Sequence, residues 1–155
     1  MSASVEFEIV DQGLDAIVKR LADSELEVVI GALSDAEPYP DGTPTLTVLA
    51  VQEFGTATTP ARAPLRSYFD GGGSRELGDA IAKALGKVVD GAKPEAAFSV
   101  VGELGAEGVR DGIEAGLQPA LADSTRNRPG RDPRGIPLLD TGHLLSQIDS
   151  EVREG

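Results

Sequence analysis

His143 is the one histidine of the chain, and its imidazole is the side chain best suited to move a proton near neutral pH or to hold a metal. No Cys, His or carboxylate cluster stands around it at metal-ligand spacing, so a satisfied or solvent-facing ring is the preferred reading. The chain has no cysteine, which excludes disulfides, thiolate zinc sites and thiol nucleophiles. Ser124, Ser146 and Ser150 lack the glycine elbow that exposes a nucleophile on a sharp turn. Asp70-Gly71-Gly72-Gly73-Ser74 has neither the lysine nor the spacing of a phosphate-cradling loop, and it reads as a hinge. Asp35, Glu37 and Asp41 carry oxygens that suit calcium, yet the twelve-residue calcium-loop pattern is absent and surface carboxylates are the better account. No catalytic, metal-ligating or cofactor-binding residue is assigned, and no cofactor is expected.

One segment calls for a closer comparison. Leu138-Leu139-Asp140-Thr141-Gly142 resembles the active-site loop of retroviral-type aspartic proteases. In those enzymes two such loops of a dimer share one proton between close carboxylates. The resemblance implies a β-barrel that continues long after the motif, whereas only thirteen residues follow Gly142. Asp140 or Thr141 capping a short final helix is the preferred account, and the protein is expected not to be an enzyme.

The elements around these residues follow from apolar spacing. Val5-Glu6-Phe7-Glu8-Ile9 alternates like a half-buried strand, and Leu14, Ile17, Val18 and Leu21 recur at helical spacing. Leu26-Glu27-Val28-Val29-Ile30 is β-branched and short, a second strand ending at Gly31 or soon after. Pro38, Pro40, Asp41 and Gly42 make a turn. Residues 45–54 fit either a buried strand or a short helix entering Gly55, with helix preferred. Residues 55–64 are a loop, and Pro64 suits the first turn of the next element. The stripe Leu77, Ala80, Ile81, Ala84, Leu85 and Val88 predicts a helix over 76–89. Another helix begins near Pro94, with Phe98, Val101, Leu104, Val109, Ile113 and Leu117 on its inner side. Five glycines interrupt it, each costing about 1 kcal/mol relative to alanine in an exposed helix. Gly108, Gly112 and Gly116 fall four apart on one face, where another backbone could approach closely, either within the subunit or across an interface, unless the helix is frayed or broken. Residues 122–137 read as an exposed loop, Leu144, Leu145 and Ile148 as the face of a final helix, and the tail from Asp149 as an edge strand through Val152.

These elements predict an α+β fold, with a small mixed sheet packed against several helices. One domain is expected over residues 1–155, with exposed loops near 34–44, 55–64 and 122–137. The core is aliphatic and thin, because Gly is used 19 times, Pro 10 times and aromatics supply only 4%. Such a core favours burial against neighbouring copies. The net charge of -12 is unevenly spread. Residues 1–60 carry eleven Asp or Glu against Lys19 and Arg20, whereas residues 122–134 carry Arg126, Arg128, Arg131 and Arg134 against Asp123 and Asp132. Unlike surfaces of this kind suit head-to-tail contacts between copies, and an acidic body argues against wrapping nucleic acid. Neither a leader peptide nor an apolar run near twenty residues occurs, so a soluble protein without membrane contact is expected.

Two further blocks have no catalytic logic. Gln52-Glu53-Phe54-Gly55-Thr56 precedes Pro60-Ala61-Arg62-Ala63-Pro64-Leu65-Arg66. Leu121-Ala122-Asp123-Ser124-Thr125 precedes the arginine-rich loop and Pro137-Leu138-Leu139-Asp140-Thr141-Gly142-His143-Leu144-Leu145. Together they resemble the tail-completion or neck proteins of long-tailed bacteriophages, lambdoid and Mu-like, which show a segment close to EFGT, then PARPFLR, and a PLIDTGxLxxSI ending. Ala63 and Pro64 stand where that family has Pro-Phe, and Gln147 where it has its final serine. The resemblance spans about 26–152. It implies a virion protein of the head-to-tail junction, made in the host cytoplasm, that assembles as a homo-oligomeric ring of six copies. Its implied partners are the connector or adaptor and the tail tube or terminator, with phage DNA passing through the lumen without specific binding. A tail terminator capping the tube is the alternative. The implied interface candidates are Glu53, Phe54, Gly55, Thr56, Pro60, Arg62, Leu65, Arg66, Arg126, Arg128, Asp140, Thr141, Gly142 and Leu144. Phe54 and Leu65 would anchor the long loop to the body, Gly55 would supply backbone freedom, and Arg62 and Arg66 would meet carboxylates of a neighbour.

Overall fold

The computed structural model describes residues 25–127, 129 and 134–154, together with Gly13, Ala16 and Lys19. The strand expected at 5–9 and the apolar positions of the helix expected after it lie outside the described residues. The fold is α+β. Strand β1 (Leu26–Ala32) pairs antiparallel with β2 (Ile148–Glu154), Ile30 opposite Ser150 and Ala32 opposite Ile148. Among the described residues the sheet has these two strands alone. Between them come α1 (Thr45–Phe54), α2 (Pro64–Tyr68), a π turn over Phe69–Gly73, α3 (Ser74–Val89), α4 (Pro94–Ala115), and the single turns α5 (Asp123–Arg126) and α6 (His143–Ser146). Residues 45–54 thus take the helical alternative, and Pro64 stands in the first turn of the next element, α2. The triple glycine joins α2 to α3 through a kink at Gly72, whose φ is 121°.

Helix α4 is the spine. Its 22 residues span about 33 Å at helical rise, and it starts on Pro94, which needs no amide partner in the first turn. Ala97 and Val101 meet Leu77, Ala84 and Val88 of α3 in one apolar cluster. Ala106, Val109 and Ile113 meet Leu49, Leu139, Leu144 and Ile148 in a second. Ile30 and Tyr68 pack against both. Arg110 Nη1 donates to the carbonyl of Ile148 at 2.6 Å, fastening the helix to the head of β2.

The helix is unbroken despite its glycines, and of the three expected to admit a close neighbour only Gly108 does so within the chain. A Cβ at Gly112 or Gly116 would meet nothing within 4 Å. The tight positions are Gly102, Gly105 and Gly108, spaced by three, whose missing side chains admit Ser150 with Val28, Ile30, and the Tyr68 ring respectively. Each such glycine lowers intrinsic helix stability, and close seating against the sheet and Tyr68 offsets it. At Gly102 a Cβ would lie 2.9 Å from the Cβ of Ser150, an atom that moves only with its strand. Gly102→Val is expected to destabilise the fold by about 2 kcal/mol through overpacking, read as a lower urea midpoint with an unchanged slope.

Tyr68 is wedged between Gly73 and Gly108, and its hydroxyl donates to Glu76 Oε2 at 3.1 Å. Desolvation first, then the hydrogen bond and charge of Glu76, push its pKa up to about 12. The other tyrosine, Tyr39, is also raised, by burial and by the charges of Asp140 and Asp41. Both raised values mean that the folded state favours neutral phenols. That contribution is complete below pH about 10, the ordinary phenol value, and is lost as pH rises through the folded pKa. An absorbance titration is expected to show Tyr68 ionising near pH 12, with Glu76→Gln moving that step down. An unmoved step in the variant would contradict the assignment.

No helix among the described residues is long and apolar enough to cross a membrane.

Candidate functional site

The first block of quoted residues folds into a closed clamp. Helix α2 begins on Pro64 behind Ala63, which sits at the cap position with φ 45° and has no side-chain acceptor for the helix amides. Glu53 supplies that acceptor from the end of α1. Its carboxylate accepts from the amides of Leu65 at 2.9 Å and Arg66 at 3.2 Å, and lies 3.7 Å from the Arg66 guanidinium. A negative group at the start of a helix meets unpaired N–H groups and the positive end of the helix dipole. Glu53 is only 7% exposed, so its charge is neutralised within the chain.

Gly55 turns the chain out of α1 with φ 73° and ψ 176°, a combination essentially confined to glycine. The loop that follows returns at once. Thr56 accepts at its Oγ1 from the amide of Thr59 at 3.0 Å and donates its own amide to the Thr59 carbonyl at 2.8 Å. The amides of Arg62 and Ala63 then donate to the carbonyl of Gln52 at 2.8 and 2.9 Å. Arg62, 8% exposed, sends Nε to the Pro119 carbonyl at 2.9 Å and Nη1 to Gln52 Oε1 at 3.2 Å. The expectation that Arg62 reaches a neighbouring copy is therefore corrected: the side chain is buried and bonded to residues 52 and 119 of its own chain. Arg66 is exposed, yet it pairs with Glu53 of the same chain.

Phe54 is a second correction. It was expected to anchor the loop and is 74% exposed, because the buried face of α1 carries Thr45, Leu49 and Glu53 while Phe54 falls outside it. Leu65 does pack against the larger core cluster. Thr56 and Pro60 are exposed on the loop.

The second block folds onto the first. Leu139 and Leu144 are buried in the cluster that holds Leu49 of α1. Gly142 occupies the cap position of α6 with φ 73°, and Thr141 Oγ1 accepts from the His143 amide at 3.3 Å. The cap is thus Gly142 in place of Asp140 or Thr141, with Thr141 assisting from outside. The His143 ring lies 4.4 Å from that of Tyr39, and its Nε2 donates to the Glu37 carbonyl at 2.9 Å, which also accepts from the Thr45 hydroxyl. Gln147 Oε1 accepts from the Glu37 amide at 2.7 Å. These bonds tie the 34–44 loop to α1 and α6. Tyr39 and Thr45 were not singled out from sequence, since nothing local to either points to a partner about a hundred residues away.

Between the two blocks lies a cleft of about 640 Å3. Val48 and Gln52 of α1 form one wall, Pro60 and Arg62 a second, and Leu121, Leu138 and Leu144 the apolar far side. Asp140 and Thr141 are exposed members of the lining, and the Asp140 charge acts on the Tyr39 phenol. Arg126 is exposed on α5, 4.0 Å from Asp123, and Arg128 lies outside the described residues. Residues 123–126 are helical and Pro137 is buried, so the 122–137 segment is less uniformly an open loop than its composition implies. Among the described residues no three His, Asp or Glu side chains come together as a metal site. Compared with protein-family models, with curated proteins and with solved structures, the chain matches none.

Proposed function

We propose that this protein is a non-catalytic structural component of the head-to-tail junction of a tailed phage, one subunit of a ring that completes or joins the tail at the connector. The observation that supports this reading is the convergence of the two resembling blocks on one cleft. They are far apart in sequence, yet Gln52, Pro60 and Arg62 of the first face Leu138, Thr141 and Leu144 of the second. Residues that serve one mechanical unit have to be held together in this way. The clamp also suits the task physically. A loop pinned by Glu53, Gln52 and Arg62 is already ordered before a partner arrives, so docking loses little conformational entropy. The net charge of -12 repels DNA, which fits a lumen through which the genome moves without sticking.

The reading is tested in the phage that encodes the chain. Disrupting its gene should leave DNA-filled heads and finished tails unjoined, with joining restored by added purified protein. Normal infectious particles from the disrupted phage would overturn it.

A further inference from the structure

We infer that copies of this chain join head to tail by seating Phe54 of one copy in the cleft between α1 and the 119–122 and 138–144 segments of the next. The inference deepens the ring-forming role proposed above and rests on it.

Charge distribution comes first. In a chain of net charge -12, residues 42–61 contain a single charged residue, Glu53, and that residue is buried and bonded within the chain. The surface this stretch presents is therefore free of charge. Its exposed members include Leu46, 56% exposed, and Phe54, 74% exposed, which are the two most exposed large apolar side chains among the described residues. Thr56 and Ala57 continue the patch at the start of the loop, before Thr58 and Pro60 pass into the lining of the cleft. Two strongly acidic copies repel each other over most of their surface, and a charge-free strip is where they can meet without desolvating carboxylates or opposing like charges. A second copy is thus the occupant that this strip suits.

The cleft supplies the complementary half. At about 100° per residue, Val48 and Gln52, which line the cleft, lie on the side of α1 opposite to Leu46 and Phe54. One helix therefore carries a projecting aromatic on one side and a recess on the other. The recess has about 640 Å3 of space and the apolar side chains of Val48, Leu121, Leu138 and Leu144 along it, ample for a phenyl ring. A knob and a hole that face opposite ways cannot satisfy each other in a two-fold dimer. They generate a heterologous contact, which closes into a ring when the rotation per copy permits.

The test uses the full chain and two surface variants. Phe54→Asp removes the knob, and Ala120→Trp fills the cleft from an exposed position. Native mass spectrometry and sedimentation of the wild type should show closed oligomers. Each variant alone should be monomeric, its self-association weakened at least about thirtyfold, as for loss of a central aromatic anchor. Mixed one to one, they should form a dimer and nothing larger, because that pair retains one intact knob-and-hole junction. Unchanged circular dichroism and melting temperature establish that both variants fold, and Phe54→Ser serves as a milder knob deletion. A wild type that assembles while Phe54→Asp and Phe54→Ser assemble equally well overturns the contact and leaves the ring reading standing. Two monomeric variants that remain monomeric when mixed overturn the head-to-tail geometry. A wild type monomeric at every concentration removes both readings.

Discussion

Gly55→Ala is expected to lower folding stability by about 3 kcal/mol, the sum of a strained backbone region and a clash. The backbone at Gly55 has φ 73° and ψ 176°, where any Cβ meets its own flanking carbonyls. An added Cβ would also stand 2.8 Å from the amide nitrogen of Ala61. That nitrogen belongs to the returning loop, whose next two amides are bonded to Gln52, so it cannot move aside without opening the clamp. Thermal unfolding should therefore start on the order of 10 °C lower for a domain of this size. Gly112→Ala is the internal control. It lies in α4 with nothing within 4 Å of the new methyl group, and should be stabilising by about 0.5–1 kcal/mol. Equal melting temperatures for the two variants would contradict the clamp.

Glu53→Ala is expected to be nearly as costly, about 3 kcal/mol, from one lost helix cap and two amides left without their acceptor. Most of that loss belongs to the hydrogen bonds at 2.9 and 3.2 Å to Leu65 and Arg66. The ion pair contributes little, because the Arg66 side chain is 53% exposed and such pairs are worth about 0–1 kcal/mol. Arg66→Ala should accordingly change stability by about 0.5 kcal/mol. Urea unfolding of the two variants separates cap from ion pair: a large loss in Arg66→Ala and a small one in Glu53→Ala would invert the account.

These two residues show what was legible in the sequence and what was not. The stripe from Leu77 to Val88 predicts α3, although only Leu77, Ala84 and Val88 of it are buried while Ile81 and Leu85 are exposed, and the β-branched run from Leu26 predicts β1, because in both cases local spacing states the period. Pro64 as a helix opener is legible for the same local reason. The role of Glu53 is not. A carboxylate on the buried face of α1 reads as surface until the 12-residue return of the chain brings an orphan helix start onto it. Arg62 is misplaced by the same logic: an arginine beside a loop looks available to a neighbour, whereas the carbonyl that takes its Nε belongs to Pro119, far along the chain.

Of the glycines expected to admit a neighbour, Gly108 does so within the chain, whereas Gly102 and Gly105 take the place of Gly112 and Gly116 there, because spacing by four and spacing by three are both compatible with one helix face. Which set is tight depends on where β2 and Tyr68 lie, and β2 is the last element to arrive. Phe54 was expected to anchor the loop with Leu65, whereas the helical phase of Thr45, Leu49 and Glu53 turns it outward. That phase could have been read from sequence only by accepting a glutamate on the buried face. For His143 a satisfied and a solvent-facing ring were both open from sequence, and its partners, Glu37 and Thr45, became visible only with the fold.

The central claim is that this chain is a resident part of the junction between head and tail. Imaging of the neck of mature virions, with mass spectrometry of the same particles, tests it most directly. The account predicts a closed ring of this protein between connector and tail, in stoichiometric amount. Mature particles that lack the protein altogether would contradict it.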